Sequence, residues 1–289
     1  MTIKVFQRGF NYSQDGPGNR LVWHLQGCNM HCPWCANPEG VARDGVLMVK
    51  GGPLLDVFCP YGAIRGGQLD RGFCATCIDR PCVHSYRSRC LTFPCLDVEI
   101  QDLIEEAVRS RPLFFDGGGV TLSGGEPTLQ FQRVEVLLTG LRKEAIHTAM
   151  ESNATHPQLA ALFPLLDLLI LDFKCADSER HRQVTGVAHA QIKQNIAAAL
   201  AAHSDVWVRI PLVEGVNTTE KDLEGFLDFF TKLDTRHALF EFLRYHEYGK
   251  EKYSQCGYPY TLDAPFVSDE TLARFEQGFI QNGLRIIHT

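Results

Sequence analysis

Gly27-Cys28-Asn29-Met30-His31-Cys32-Pro33-Trp34-Cys35 sets three cysteines at C-x₃-C-x₂-C spacing just after the apolar run Leu21-Val22-Trp23-His24-Leu25. The run reads as a strand over about 21–27, so the cysteine loop leaves the strand's C-terminal end, where α/β folds place their active sites. Three thiolates cannot by themselves complete a four-cysteine zinc or iron–sulfur site. A cubane [4Fe–4S] cluster held by them would keep one iron free of protein ligands and open to chemistry. The plainer alternatives are a structural metal knuckle with a distant fourth cysteine, or three unrelated buried thiols.

Downstream, strands near 119–123, 146–150, 168–171, 206–210 and 239–243 alternate with helices near 98–109, 129–144, 157–164, 188–203, 219–233 and 268–281. A short strand at 284–287 closes the chain. Strands separated by helices pair in parallel through right-handed crossovers. The pattern predicts an α/β fold, a partial (β/α)6 TIM-like barrel. In such a fold the strand C-termini converge on one face, and unusual polar residues recur there: Cys28, Ser123 to Glu126, Glu151-Ser152-Asn153, Asp172-Phe173-Lys174, Arg209 and Arg244-Tyr245-His246.

Composition bounds the partners. The chain has 289 residues, 45% hydrophobic and 21% charged, enough for one full α/β domain with an insertion. A net charge of −6 argues against nucleic acid, which calls for a basic surface. The N-terminal residues Met1 to Arg8 lack an apolar signal core, and no run approaches the ~20 apolar residues of a membrane span, so a cytoplasmic location without membrane contact is expected. In a reducing compartment eleven cysteines point to metal ligation rather than disulfides.

Nine of those cysteines lie between Cys28 and Cys95. From Gly45 to Pro94 helical periodicity fades, and Cys59, Cys74, Cys77, Cys82, Cys90 and Cys95 follow one another. Cys59-Pro60-Tyr61-Gly62-Ala63-Ile64 is similar to the C-P-x-x-A-I tail of a bacterial ferredoxin motif. The expected organisation is a core over 1–49, an inserted cysteine-rich ferredoxin-like module over 50–95, and the remainder of the barrel over 96–289. Two [4Fe–4S] clusters would need eight cysteines, so six favour one auxiliary cluster, with a zinc site on Cys74 and Cys77 as the alternative.

C-x₃-C-x₂-C with an aromatic residue before the last cysteine resembles the signature of radical S-adenosylmethionine (radical SAM) enzymes, and Gly124-Gly125-Glu126-Pro127 is similar to their G-G-E-P motif. Two glycines let a backbone approach a ligand closely. Further segments narrow the resemblance to the activating enzymes of glycyl radical enzymes, of the pyruvate formate-lyase activating type. These are Asp15-Gly16-Pro17-Gly18, Leu171-Asp172-Phe173-Lys174, Thr185-Gly186-Val187, Val208-Arg209-Ile210-Pro211 and Tyr245 to Tyr253, which is similar to Y-H-x-L-G-x-x-K-[YW].

That resemblance implies a set of roles. Cys28, Cys32 and Cys35 would ligate the catalytic cluster, with Lys174 beside them in the catalytic group, and Trp34 would lie along the adenine. Gly124, Gly125 and Glu126 would meet the methionine amino end of S-adenosylmethionine, and Ser152, Asp172, Lys174, Arg209 and His246 would line the rest of the pocket. Glu151, Ser152 and Asp172 stand where the family holds a monovalent cation. The implied reaction reductively cleaves S-adenosylmethionine to methionine and a 5′-deoxyadenosyl radical, which takes a hydrogen atom from one glycine of a partner glycyl radical enzyme, in anaerobic metabolism. A flavodoxin or ferredoxin would supply the electron. The competing readings are a radical SAM enzyme with another peptide or small-molecule substrate, and a non-catalytic electron carrier. The first is weakened because Cys256 is the only cysteine late in the chain.

Overall fold

The computed structural model describes residues 1–289 except 52–53, 55–56, 78 and 85–89. β1 (Thr2–Tyr12) and β2 (Asn19–Leu25) form an antiparallel hairpin. Its turn needs Gly18, which has φ +68° and whose Cβ would lie 2.2 Å from the Phe115 carbonyl oxygen. The cysteine-rich stretch contributes β3 (Met48–Val49), β4 (Ile64–Arg65), β5 (Gln68–Leu69), α1 (Arg71–Cys74) and β6 (Leu91–Thr92). β3 pairs with β6 and β4 with β5, and Leu47, Ala63, Cys74, Cys82 and Leu91 bury together in a small core apart from the main one.

β7 (Leu96–Glu99) and α2 (Ile100–Arg109) return the chain to the main body. There follow β8 (Gly119–Gly124), α3 (Phe131–Lys143), β9 (Thr148–Ser152), β10 (Leu168–Asp172), α4 (Ser178–Thr185), α5 (Ala190–Ala202) and β11 (Val206–Leu212). α6 (Glu220–Phe230), β12 (Ala238–Arg244), α7 (Lys250–Cys256) and α8 (Asp269–Gln281) complete the chain. The main sheet has the order β12-β11-β10-β9-β8-β2-β1-β7. β2 and β8 to β12 are parallel, which makes the expected partial (β/α)6 barrel; β1 and β7 extend one edge in antiparallel pairing.

The parallel strands are largely buried on both faces; β10 reads as a continuous apolar run, with Leu168 to Leu171 fully buried. Between β11–β12 and the late helices the core is aromatic. Phe230 packs edge-on against Phe240 at 4.8 Å, and Phe242 against Phe279 at 4.8 Å. α6 starts where Thr219 and Asp222 form a reciprocal capping box, and α8 where Ser268 caps Thr271 N–H.

Several elements depart from the sequence reading. β1 was not expected, although Ile3 and Val5 carry the period of a strand; a register shift between Val5 and Gln7 breaks the alternation. Val98 belongs to β7, so the helix begins at Ile100. The stretch expected as a helix at 157–164 is a 3₁₀ segment, Leu159–Leu165, because Pro164 lies inside it. α4 stands apart from the helix expected at 188–203, ended by Gly186 in the left-handed region. The terminal strand is reduced to one bridge between Phe240 and Ile286.

Candidate active site

The loop after β2 is held by its own backbone. Gln26 donates its amide to the carbonyls of Glu39 (2.9 Å) and Ala42 (2.6 Å), Gly27 N–H to Gly40 O (2.8 Å), and Cys28 N–H to Val41 O (2.9 Å). Tyr253 of α7 bridges the far end: its hydroxyl donates to Cys32 O at 3.0 Å and accepts Cys35 N–H at 3.1 Å. Lys252 reaches Asn37 Oδ1 (3.0 Å) and the buried Glu39 carboxylate (2.7 Å). Two thiols receive backbone donors, Cys28 Sγ from Met30 N–H and Cys35 Sγ from Asn37 N–H, both at 3.4 Å.

Cys28, Cys32, Trp34 and Cys35 form one wall of a cavity of about 640 Å³. Gly124, Gly125, Ser152, Asp172, Lys174, Arg209 and His246 line it from the C-terminal ends of the strands, as the fold dictates. Its volume lies in the usual range for small-molecule sites. Gly124 has φ +117°, and a Cβ there would stand 2.4 Å from Leu25 N; at Gly125 it would stand 2.2 Å from Gly27 O. The two glycines therefore bring the end of β8 against the cysteine loop, and their backbone still faces the cavity.

Glu126 differs from its expected place. It is fully buried and does not line the cavity. Its Oε1 accepts Thr128 N–H (3.0 Å), Thr128 Oγ1 (2.5 Å) and Ser152 Oγ (2.8 Å), and its Oε2 accepts Asn153 N–H (2.7 Å). Burial pushes the carboxyl up, and those donors pull it partly back. Its physical role is to tie the glycine turn to the end of β9.

The charged residues are paired across the barrel interior. Arg209 is buried between Glu151 (2.8 Å) and Glu241 (2.7 Å) and also donates to Gln14 O. Burial alone would lower its pKa, but the two carboxylates hold it raised. Ser123 Oγ donates to Glu151 at 2.6 Å, and Lys174 pairs with Asp172 at 2.7 Å. Lys174 is likewise raised: Asp172 and the neighbouring cysteines outweigh burial. Both carboxylates expected at a monovalent cation thus already carry a cation of the chain's own.

Among the described residues no three His, Cys, Asp or Glu side chains converge on a point suited to one metal ion. A cubane cluster has a different requirement, because each thiolate binds a separate iron. The donor set fits one: three thiols without disulfide partners share a cavity wall, and two of them already accept N–H donors. Burial pushes each thiol up, Cys28 to about 12, so loading a cluster must release their protons.

In the cysteine-rich stretch, Cys59, Cys74, Cys77 and Cys82 line a second cavity of about 430 Å³, which Cys90 and Cys95 do not. Cys59 Sγ accepts Ala63 N–H at 3.4 Å. Burial opposes ionisation of this thiol, but the N–H groups of residues 61–64 outweigh it and lower its pKa. Sequence reasoning passed over several residues of the main site. Asp15 lines the cavity, and its carboxylate accepts Asn11 Nδ2 at 2.5 Å. Asn153 reaches Asn29 at 2.9 Å, Tyr253 clamps the loop, and Glu241 holds Arg209. Asp15 and Tyr253 lay within quoted motifs and Asn153 among the polar strand-end residues, each without an assigned role. Glu241 was in neither set, and no spacing rule singles out a partner across the sheet.

The family model for the radical SAM superfamily matches residues 24–230. The choline trimethylamine-lyase activating enzyme of Oleidesulfovibrio alaskensis is 34% identical over 279 residues, covering 91% of this chain and 90% of the relative. The (2S)-3-sulfopropanediol sulfolyase activating enzyme of Bilophila wadsworthia is 34% identical over 267 residues, covering 86% and 87%. A solved domain of a pyruvate-formate lyase-activating enzyme from Bacteroides vulgatus superposes with a TM-score of 0.50 at 28% identity, over 59% of this chain and 98% of that one. With its three-cysteine loop opening into the barrel cavity, the chain belongs to the radical SAM superfamily and, within it, to the activating enzymes of glycyl radical enzymes.

Proposed function

We propose that this protein activates a partner glycyl radical enzyme by placing one glycine of that partner beside S-adenosylmethionine in the 640 Å³ cavity. The observation that carries the reading is the shared wall: the three cysteines and the C-terminal ends of the parallel strands face the same space. A [4Fe–4S] cluster on Cys28, Cys32 and Cys35 supplies, when bound, the electron that cleaves S-adenosylmethionine for hydrogen-atom abstraction from glycine. The chain's own residues bind and orient. Trp34 offers a face to the adenine, the Gly124-Gly125 backbone and Ser152 meet the methionine end, and Lys174 and His246 border the remainder. Arg209, fixed by Glu151 and Glu241, and Glu126, fixed by four donors, hold that frame in position.

Residues 50–95 are read as an inserted module. Cys59, Cys74, Cys77 and Cys82, which share the 430 Å³ cavity, would hold one auxiliary iron–sulfur cluster, with a zinc site as the alternative. The exposed rings of Phe58, Tyr61 and Phe73 beside it give a flavodoxin or ferredoxin a surface to cover. A monovalent cation would sit among Glu151, Ser152 and Asp172; the two carboxylates also pair with Arg209 and Lys174, but Arg209 is shared with Glu241, so three carboxylates face two cations of the chain. No helix among the described residues is long and apolar enough to cross a membrane. A dehydrogenase with late-chain clusters is disfavoured because Cys256 is fully buried outside the cavity.

Anaerobic reconstitution with iron and sulfide, followed by electron paramagnetic resonance of the reduced protein with and without S-adenosylmethionine, tests the reading. A spectrum that shifts on addition, with 5′-deoxyadenosine formed and a glycyl radical raised on the partner, is expected. An unshifted spectrum, or zinc in place of iron, overturns it.

A further inference from the structure

The main sheet does not close on itself: β12 forms one margin, and β1 with β7 forms the other. β7 covers only Thr2 to Val5 of β1, while β2 pairs with β1 through to Tyr12. From Gln7 to Tyr12 the second edge of β1 is therefore unpaired among the described residues. Such an edge offers main-chain donors and acceptors to another extended chain.

The faces of this edge are settled by contacts. Arg8 pairs with Glu106 of α2 at 3.1 Å, and Phe10 and Tyr12 lie 6.3 and 6.0 Å from Phe114 and Phe115. These three side chains mark the outer face, so Gln7, Gly9 and Asn11 face inward by strand alternation. Gln7 and Asn11 line the same cavity as the three cysteines, and Leu243 and Tyr245 line it from the opposite margin.

Gly9 is anomalous in this setting. It lies inside a strand, where glycine is disfavoured because it gives up backbone entropy and packs no side chain. Its φ lies outside the left-handed region, and a Cβ built on it would meet no atom within 4 Å. Among the described glycines it alone has neither a positive φ nor a neighbouring atom within 4 Å. The folded chain does not require a glycine here; strand glycines accompany bulges or the close approach of a ligand or another backbone, and the register shift of β1 lies upstream, between Val5 and Gln7.

We infer that the inner face of β1 at Gln7, Gly9 and Asn11 is the track on which the partner's extended, glycine-bearing segment lies as it enters the cavity between β1 and β12. This rests on the proposed function and adds where the protein substrate runs. The missing side chain at Gly9 lets the two backbones approach, while the Gln7 amide suits main-chain N–H and C=O groups; the Asn11 Nδ2 is held by Asp15 and Gln14, which leaves its carbonyl oxygen as the acceptor for a main-chain N–H. The recognised chemistry is an extended main chain whose residue opposite Gly9 is small.

The test separates the two half-reactions in the full-length reconstituted enzyme. Gly9→Ala and Gly9→Val are compared with wild type for 5′-deoxyadenosine formed without partner, and for glycyl radical raised on the partner enzyme that gives the strongest signal with wild type. Cleavage without partner should be unchanged in both variants. Activation should fall in order of side-chain size, by about tenfold or more for Gly9→Val, because a displaced reacting glycine costs that much in rate. Valine favours strands, so thermal stability should not fall. The inference is overturned if Gly9→Val activates the partner at the wild-type rate, or if it loses stability and both activities together, which marks a structural glycine. A wild type that cleaves S-adenosylmethionine but raises no radical on any partner overturns the proposed function itself.

Discussion

Replacing Glu126 with glutamine separates the two roles open to this residue, ligand contact and internal tie. The structure gives its carboxylate four donors, three on Oε1 and one, Asn153 N–H at 2.7 Å, on Oε2. Glutamine keeps one acceptor oxygen, and its NH₂ group must then face either Asn153 N–H or the three donors from Thr128 and Ser152. The smaller loss is the bond to Asn153. A hydrogen bond to a charged group contributes about 1.5–3 kcal/mol, and leaving a buried N–H unpaired adds to this, so a cost of about 3 kcal/mol is expected for Glu126→Gln. For a chain of this size that corresponds to roughly 5 °C in unfolding midpoint. The assay is anaerobic thermal unfolding of the reconstituted enzyme at one scan rate, paired with the KM for S-adenosylmethionine. A lowered midpoint with KM changed less than about threefold is expected, since threefold is only about 0.6 kcal/mol of binding. An unchanged midpoint with a large rise in KM would falsify the internal-tie assignment and return Glu126 to the ligand.

Three further outcomes are expected. Cys32→Ala should abolish reductive cleavage of S-adenosylmethionine, read as 5′-deoxyadenosine, while far-ultraviolet circular dichroism stays that of wild type; retained cleavage removes the cysteine triad from the reaction. Cys74→Ala should lower iron per chain and leave partial cleavage activity, whereas Cys90→Ala should leave iron unchanged, because only the first cysteine lines the 430 Å³ cavity. Equal iron loss in both would contradict that ligand set. Asp15 carries a pH signature: burial, and then the Glu151 charge, push its carboxyl up to about 6 from 3.8. Because the folded value is the higher one, its stabilising contribution is present below pH 3.8 and is lost as pH rises through about 6, some 3 kcal/mol in all. Asp15→Asn should lessen the fall in unfolding midpoint between pH 4 and pH 7, and an identical fall in both proteins would refute the assignment.

The six parallel strands were legible because each is short, rich in buried apolar residues and set between helical patterns, although only β10, over Leu168 to Leu171, is an unbroken apolar run and the others carry polar residues such as Thr121, Glu151 and Arg209. β1 was not, because its register shift and exposed inner face erase the alternation that marks a half-buried strand. α7 is seven residues long, too short for a periodic signal, yet it carries Lys252 and Tyr253 onto the cysteine loop. The residues of the pocket that could be named in advance are those adjacent to a motif. Glu241 could not be, because its meaning comes from Arg209 one strand away.

The amino-acid sequence by itself determined the barrel order, the three-cysteine loop at a strand's C-terminal end and the glycine turn beside it, since those depend on local spacing and periodicity. The tertiary structure alone decided which polar groups face the cavity and which are consumed by one another. Glu126 turns inward to four donors, Glu151 and Asp172 pair with Arg209 and Lys174, and four of the six cysteines between residues 50 and 95 share a cavity. The physical reason is that a buried charge must find its partner wherever the packed chain places one. Here those partners come from other strands and loops, and sequence distance does not encode such pairings.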